Sequence, residues 1–540
     1  AAIYGVKGGN GVIMITTKRG QATPLTVSAK YQFGLSTMFR APQFSSSYTY
    51  ARKVNEARAL DGLAPMYNND AFTYFANGQS PYIYADVNWM NVVFNDSAML
   101  QSHELSVSGA TETTNYYFSG GYYDQQGIAP GSMFERYSMR FNFEQQMAKW
   151  LRMGTNTMFN FQNIEQADEG SYALVTPISA SRFMLPYWNP YNADGSIASI
   201  NKGEWKGQGQ NPMEWLENNP LSYKKYKVIS TVFAEMTLYK NLIFKSQFSV
   251  DFSHVTGFSQ SFPSYLPNQG EGSASRNSSD GLNLQVTNTL TYRFDIDNTH
   301  DFNFLIGQEG QTYHSEAFGV ATKGATNDLL TDVQQGTRAV SWNSTASADY
   351  SRMSFFGRAE YNYTDRYYAD FSVRADGSSR FGKSNRWGAF WSLGAMWNLR
   401  NEEFMSQTRD WLTFAQVSLS TGTSGNSEIP NYEHLALVAG GLDYIGNSGM
   451  APMQPGNENL TWESTWTTNL GFHFGFWNRL NVDFELYNKN TSDMLMQVPL
   501  SYAQSNGYGY KWDNVGGMVN RGAELNLSGT VLQIKDFTWS

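Results

Sequence analysis

RYSMRFNFE, Arg136 to Glu144, sets the reading of the whole chain. Tyr137, Met139, Phe141 and Phe143 occupy alternate positions, and Ser138, Arg140, Asn142 and Glu144 stand between them. Successive side chains of a β-strand point to opposite faces, so this stretch reads as a strand with one apolar and one polar side. The alternation returns in LIFKSQFSVDF (Leu242 to Phe252), LNLQVTNTLTYRF (Leu282 to Phe294) and AFWSLGAMWNL (Ala389 to Leu399). Followed along the chain it yields about seventeen strands, many near the roughly 9 to 11 residues that a tilted strand needs to cross a bilayer.

The connections alternate in length. Short turns at ATETTN (110–115), QMAKW (146–150), Lys240-Asn241, DIDNTH (295–300), TDR (364–366) and GFWNRLN (475–481) are separated by long segments at 162–227, 253–281, 312–349, 421–465 and 489–520. One end of the sheet therefore carries turns and the other loops, as in an up-and-down meander closed into a membrane barrel. The expected fold class is all-β, a large antiparallel transmembrane β-barrel. A soluble sandwich or propeller shares the alternation but has no reason to keep that parity. The charged residues agree: Arg140, Glu144, Arg152, Glu235, Lys245, Asp251, Arg293, Arg358, Glu360, Asp370, Arg374, Asp483, Glu485 and Glu524 all fall on the polar face of their strands. On a lipid-facing side each would cost about 2–4 kcal/mol near the midplane.

Composition narrows the function classes. Among 540 residues, 41% are hydrophobic, yet no run of about 18 apolar residues forms a helical span. Aromatic residues make up 15%, suited to girdles at a bilayer boundary or to stacking surfaces for a ligand. The balance of 38 Lys+Arg against 47 Asp+Glu, without basic runs, argues against a nucleic-acid partner. With no cysteine, disulfides, thiol catalysis and zinc-thiolate sites are excluded.

No catalytic constellation emerges. His103, His254, His300, His314, His434 and His473 lack metal-ligand spacing, and DIDNTHD lacks the central Gly and closing Glu of a calcium loop. Glu402 and Glu403 are adjacent and do not converge on a substrate. No cofactor is implied. Tyr187, Trp188, Trp205, Trp215 and Trp342 lie in long loop segments, where a flat ring either stacks on a ligand or packs the loops together. SYTYARKVNEARALDGL (47–63) has helical character in the first loop. The glycines of AAIYGVKGGNGVIMITTKRG (1–20) fit neither phosphate-binding spacing, and a β-branched run follows them, so the stretch reads as the last strand of a small domain.

Several stretches together resemble the SusC/RagA-like TonB-dependent outer-membrane transporters. Residues 1–20 resemble the end of that family's plug, with Tyr4, Gly5, Gly8, Asn10 and Gly11 as its motif, and Leu25 to Leu35 resemble the first barrel strand. LSVSGATETTNYYFSGGYYDQQGI (105–128), ERYSMRFNF (135–143), DGSSRFGKSNRWGAFWSLGAMW (376–397), NENLTWESTWTTNLGFHFGF (457–476), YNKNTSDML (487–495) and NVGGMVNRGAELNL (514–527) resemble family stretches in matching order. FAQVSLSTGTSGN (414–426) departs from the basic, aromatic version usual there. The resemblance implies a 22-stranded plugged barrel, with the plug's end at 1–22 and the barrel at 23–540. It implies import of a bulky oligosaccharide or peptide across the outer membrane of a Gram-negative cell, energised through the TonB complex, under a SusD-like lipoprotein lid. With about seventeen strands counted and an ending at FTWS, the chain is expected to be an internal piece of such a protein. A receptor or signalling barrel would share the fold; a surface adhesin, or a β-rich carbohydrate-binding or carbohydrate-active protein, is the remaining alternative.

Overall fold

The computed structural model describes residues 20, 25–167, 174, 176–265, 270–330, 332–503, 505, 507–534 and 537–539, and for 341–347 and 533 the backbone alone. Alternating residues form long strands in chain order. These are β1 (Thr26–Ser36), β2 (Ala98–Ala110), β3 (Thr114–Gln126), β4 (Met133–Ala148), β5 (Leu151–Ala167), β6 (Pro220–Tyr239) and β7 (Leu242–Ser261). Next come β8 (Gly272–Ile296), β9 (His300–Ala325), β10 (Arg338–Tyr363), β11 (Tyr367–Ser378), β12 (Trp387–Asn398) and β13 (Leu412–Asn426). After a separate hairpin of β14 (Leu437–Tyr444) and β15 (Asn447–Gln454) follow β16 (Glu463–Phe476) and β17 (Leu480–Ser492). A second hairpin of β18 (Leu495–Pro499) and β19 (Tyr510–Asn514) precedes β20 (Gly517–Gly529), and β21 (Leu532–Ile534) pairs with β22 (Phe537–Trp539). One 16-stranded antiparallel sheet runs from β1 to β13, then through β16, β17 and β20.

The expected parity of turns and loops holds. Tight turns need left-handed backbone, and Asn241, Asp297, Asn298, Thr364, Asp365, Trp477 and Asn478 all have positive φ. At the loop end, 37–97 carries α1 (Ser47–Leu60), α2 (Asn69–Asn77) and α3 (Trp89–Val93), and the β5–β6 connection carries α4 (Pro177–Phe183) and α5 (Pro212–Asn218). The helical character expected at 47–63 is thus α1, capped by Ser46, whose hydroxyl accepts from the Thr49 N–H at 3.3 Å.

Several strands outrun their sequence signal. β8, β9 and β10 are 25, 26 and 26 residues long, so much of the 253–281 and 312–349 segments is strand rather than loop. At about 3.3 Å per residue they reach roughly 80 Å, far more than the roughly 30 Å of a bilayer's hydrocarbon. The loop-end half of β8, GSASRNSSDG, has no apolar alternation. Where water wets both faces nothing selects one apolar side, so alternation marks only the part of a strand that faces lipid.

The apolar face carries exposed Leu105, Met139, Phe141, Val232, Phe248, Ile306, Phe355 and Leu419. Near the turn end this face bears aromatic rows: Phe294 stacks on Phe302 at 5.1 Å, Phe302 meets Tyr361 at 4.9 Å, and Trp411 stacks on Phe476 at 6.0 Å. Toward the loop end a second row crosses neighbouring strands in register through Tyr31, His103, Tyr122, Tyr137, Phe161, Tyr226 and His254. Two aromatic belts bracketing an apolar band are what a bilayer selects, since amphipathic rings settle at headgroup depth.

Candidate functional site

The candidate site is the polar face together with the loops above it. Register places the charged residues singled out from sequence side by side. Arg152 lies opposite Glu235 and reaches its carboxylate at 2.8 Å, with Glu144 at 3.6 Å. Lys245 lies opposite Glu235 and sits 4.9 Å over the Phe233 ring. Glu360 and Asp370 face each other across β10 and β11, a repulsive arrangement relieved by Arg358 at 2.7 and 4.0 Å and by the Asn303 amide, which donates to Glu360 at 2.5 Å. Arg374 bridges Asp376 at 2.6 Å and Glu309 at 3.1 Å. Among the hollows on this face, one of about 560 Å³ lies at Glu104, Tyr117, Arg136 and Arg140, and another of about 450 Å³ at Arg293, Arg358, Glu360 and Asp370. In the first, the Arg136 Nε is buried without a partner while its guanidinium lies 5.3 Å from the Tyr123 ring centre. Such a wall presents many hydrogen-bond donors and acceptors.

The motif residues Tyr4, Gly5, Gly8, Asn10 and Gly11 lie outside the described residues. Gly20 is described: it packs against β2 and β3, and its carbonyl accepts from the Asn115 side-chain amide at 2.8 Å. Asn115 pairs with Glu144, so this contact is on the polar face.

Among the described residues, two compact cores hold the loops. In the first, α3 packs on α4 with Trp89, Val93, Ala180, Met184, Trp188, Ala198 and Trp205 buried. Trp188 and Trp205 are each 7% exposed, with ring centres 6.3 Å apart, and Trp89 meets Trp205 edge-on at 6.1 Å. Their faces are therefore occupied by protein. Tyr187 is half-buried at the rim of this core, between Trp188 at 5.6 Å, Tyr50 at 5.6 Å and Tyr67 at 6.2 Å. Burial, then the hydrogen bond with Tyr187, pushes the Tyr67 hydroxyl's pKa up. Trp215 meets Tyr265 edge-on at 6.0 Å, and burial raises the Tyr265 pKa. Trp342 lies on β10 opposite Val320, its side chain outside the description.

The second core ties the other loops together, and sequence reasoning did not single out its polar residues. Phe381 and Leu460 are fully buried beside Phe390, Ile429 and Trp462, with Leu495 and Trp512 packed on them. Glu428 receives Arg352 at 2.5 Å and Arg380 at 2.7 Å, and both guanidinium groups stack on the Tyr350 ring, at 5.1 and 4.6 Å. Burial works to raise the Glu428 pKa, but the hydrogen bonds from Arg380 and Arg352 outweigh it and hold the carboxyl at about 2. The Asn514 amide donates to the Thr461 carbonyl at 2.9 Å and its oxygen accepts from the Thr461 N–H at 2.8 Å. Asn457 donates to the Trp512 carbonyl at 2.9 Å, and the Trp462 indole donates to the Arg386 carbonyl at 3.2 Å. Three stretches that carry the resemblance, at 376–397, 457–476 and 514–527, thus meet here. The one available signal was their content of Arg, Asn and Gly just beyond strand ends.

This geometry defines a class: a large strand-built wall with a lipid-suited outside, a polar inside and long loops gathered at one end. Residues 176–540 match the family described as "TonB dependent receptor-like, beta-barrel", and the chain belongs to that family. It is 28% identical over its whole length to TonB-dependent receptor P26 of Formosa agariphila, covering 53% of that protein, and 25% identical to TonB-dependent receptor SusC of Bacteroides thetaiotaomicron, covering 54%. The chain spans about half the length of these curated relatives. Among solved structures, one described as "Structure of the RagAB peptide transporter" superposes with a TM-score of 0.87 at 29% identity, covering 99% of this chain and 62% of the other. The fold is therefore a SusC/RagA-like transmembrane barrel, and its polar face is the lumen wall.

Proposed function

We propose that the protein containing this chain imports a bulky polar nutrient, an oligosaccharide or a peptide, through the outer membrane of a Gram-negative cell, driven through the TonB complex. Residues 1–22 are the end of its plug and 23–540 its barrel, and a SusD-like lipoprotein covers the loops. The observation that carries the reading is the lumen wall: ion-paired and amide-rich rows such as Arg152–Glu235 and Arg358–Glu360 beside hollows of several hundred Å³. The likeness to the TonB-dependent receptor SusC and to a peptide transporter supports the same view. Of the loop aromatics, Tyr187 is the ring best placed to meet cargo, at the rim of its core, whereas Trp188 and Trp205 hold the loops.

The test is uptake of labelled oligosaccharide and peptide pools by cells carrying the full-length protein, with and without TonB. Concentration of one pool inside TonB-positive cells and its loss without TonB are expected. Equal uptake in both strains would overturn the reading.

A further inference from the structure

The lipid-facing wall contains a feature that neither transport nor insertion needs. On β8 and β9, Asn288 and Gln308 lie opposite each other on the face that also carries Leu290 and Ile306. The Asn288 Nδ2 donates to the Gln308 Oε1 at 3.0 Å, and the Asn288 Oδ1 and Gln308 Nε2 make no further hydrogen bond among the described residues. The neighbouring outward position opposite Ile306 is Gly357, and a Cβ there would find no atom closer than 3.7 Å. With Phe244, Phe355 and Val373 around it, the missing side chain leaves an apolar groove of about 650 Å³ with the carboxamide pair in its wall.

The pair sits four residues above Tyr292 and six above Phe294 of the turn-end aromatic belt, about 10–15 Å into the hydrocarbon for a tilted strand. Carboxamides at such depth are costly unless their remaining hydrogen-bonding capacity is met, and hydrocarbon cannot meet it. A recessed groove suits a flexible chain, whereas a second barrel wall is convex and touches along a ridge.

We propose that this groove holds one acyl chain of a membrane lipid that carries a hydroxyl at that depth. The hydroxyl donates to the Asn288 Oδ1 and accepts from the Gln308 Nε2, closing both free positions in one contact, while the methylenes fill the space over Gly357. The proposal rests on the membrane placement of the barrel, not on its cargo.

The experiment uses the full-length protein in nanodiscs of oleoyl phospholipid containing a minor fraction of ricinoleoyl phospholipid, which differs by one chain hydroxyl. Retained lipid is read by native mass spectrometry after partial delipidation. Two hydrogen bonds in a dry setting predict about tenfold enrichment of the hydroxylated lipid on the wild type. Asn288→Leu with Gln308→Leu is expected to abolish the preference while a chain stays bound, and Gly357→Leu to remove the bound lipid. Heat-modifiable migration on gels checks that each variant is folded, and Val373→Trp fills the groove from the other side if Gly357→Leu does not fold. No enrichment on the wild type, or the same enrichment on the double variant, overturns the proposal. So does a change in the number of protein copies per particle on filling the groove with lipid content unchanged, which would assign the groove to a second copy. Absence of the protein from membranes would instead sink the barrel's placement.

Discussion

The two loop cores stand over the same wall and differ in their ties: arginine–carboxylate pairs hold the second, whereas uncharged donors such as the Asn211 amide, 2.8 Å from the Pro190 and Ala198 carbonyls, hold the first. The first, around Trp89, Trp188 and Trp205, is an aromatic packing of α3 on α4, tied by contacts such as the Trp89 indole to the Leu185 carbonyl at 3.0 Å. The second has an apolar centre of Phe381, Phe390, Ile429, Leu460 and Trp462 inside a shell of charge and amide contacts that spans the β11–β12, β13–β16 and β17–β20 connections. Packed rings accept any shape that fills the space, whereas ion pairs demand specific atoms at specific distances. Three of the stretches that carry the resemblance meet in the second core. Its motifs report architecture rather than cargo.

The sharpest way to test that difference is one large truncation in each core. Phe381→Ala and Trp188→Ala should each cost about 3–5 kcal/mol locally, since both rings are buried. Their reach should differ. Phe381→Ala is expected to expose all three connections at 379–386, 427–462 and 493–516 to protease together, while Trp188→Ala exposes 37–97 and 176–219 and leaves the others protected. Mapping the cleavage sites by mass spectrometry checks this, and simultaneous cutting of all five loops in either variant would break the comparison.

Backbone proximity gives a smaller effect confined to the second core. A Cβ on Gly382 would lie 2.7 Å from the Glu458 carbonyl oxygen, a backbone atom with little freedom to yield. Gly382→Val should destabilise the core by about 3 kcal/mol, and Asn514→Leu, which strips the paired contacts to Thr461, by about 2 kcal/mol. Both are read as a lowered denaturant midpoint for protease protection of 427–462. The first core should not respond to either.

How much of this was legible in the sequence follows the same division. The barrel was legible because lipid enforces alternation, as in Tyr137 to Phe143, and turn parity did the rest. The loop-end halves of β8 to β10 were not, because water on both faces removes the periodicity that marks a strand. The burial of Trp188 and Trp205 was not legible either: a tryptophan in a loop is the same letter whether it meets a ligand or another tryptophan. The Arg352–Glu428 contact spans 76 residues and has no periodic signature. Arg380 stands inside DGSSRFGKSNRWGAFWSLGAMW, but its contacts with Glu428 and Asn431 become evident only once two loops are folded over each other.

The mildest and most selective probe is acid. Glu428 sits at about 2 in the folded protein against an ordinary 4.5, so its contacts stabilise the second core fully above about pH 4.5. That contribution falls away as pH drops from 4.5 toward 2, because protonation uncouples the carboxylate from Arg352 and Arg380. The carboxylate is more than half exposed, which screens the pairs and keeps the effect modest. Protease protection of 427–462 should therefore weaken across that window in the wild type. In Glu428→Gln it should start lower and lose this component of the acid response. The Gln variant isolates the charge from the shape, so an unchanged acid response would mean that the two arginines contribute through their stacking on Tyr350 rather than through their ion pairs.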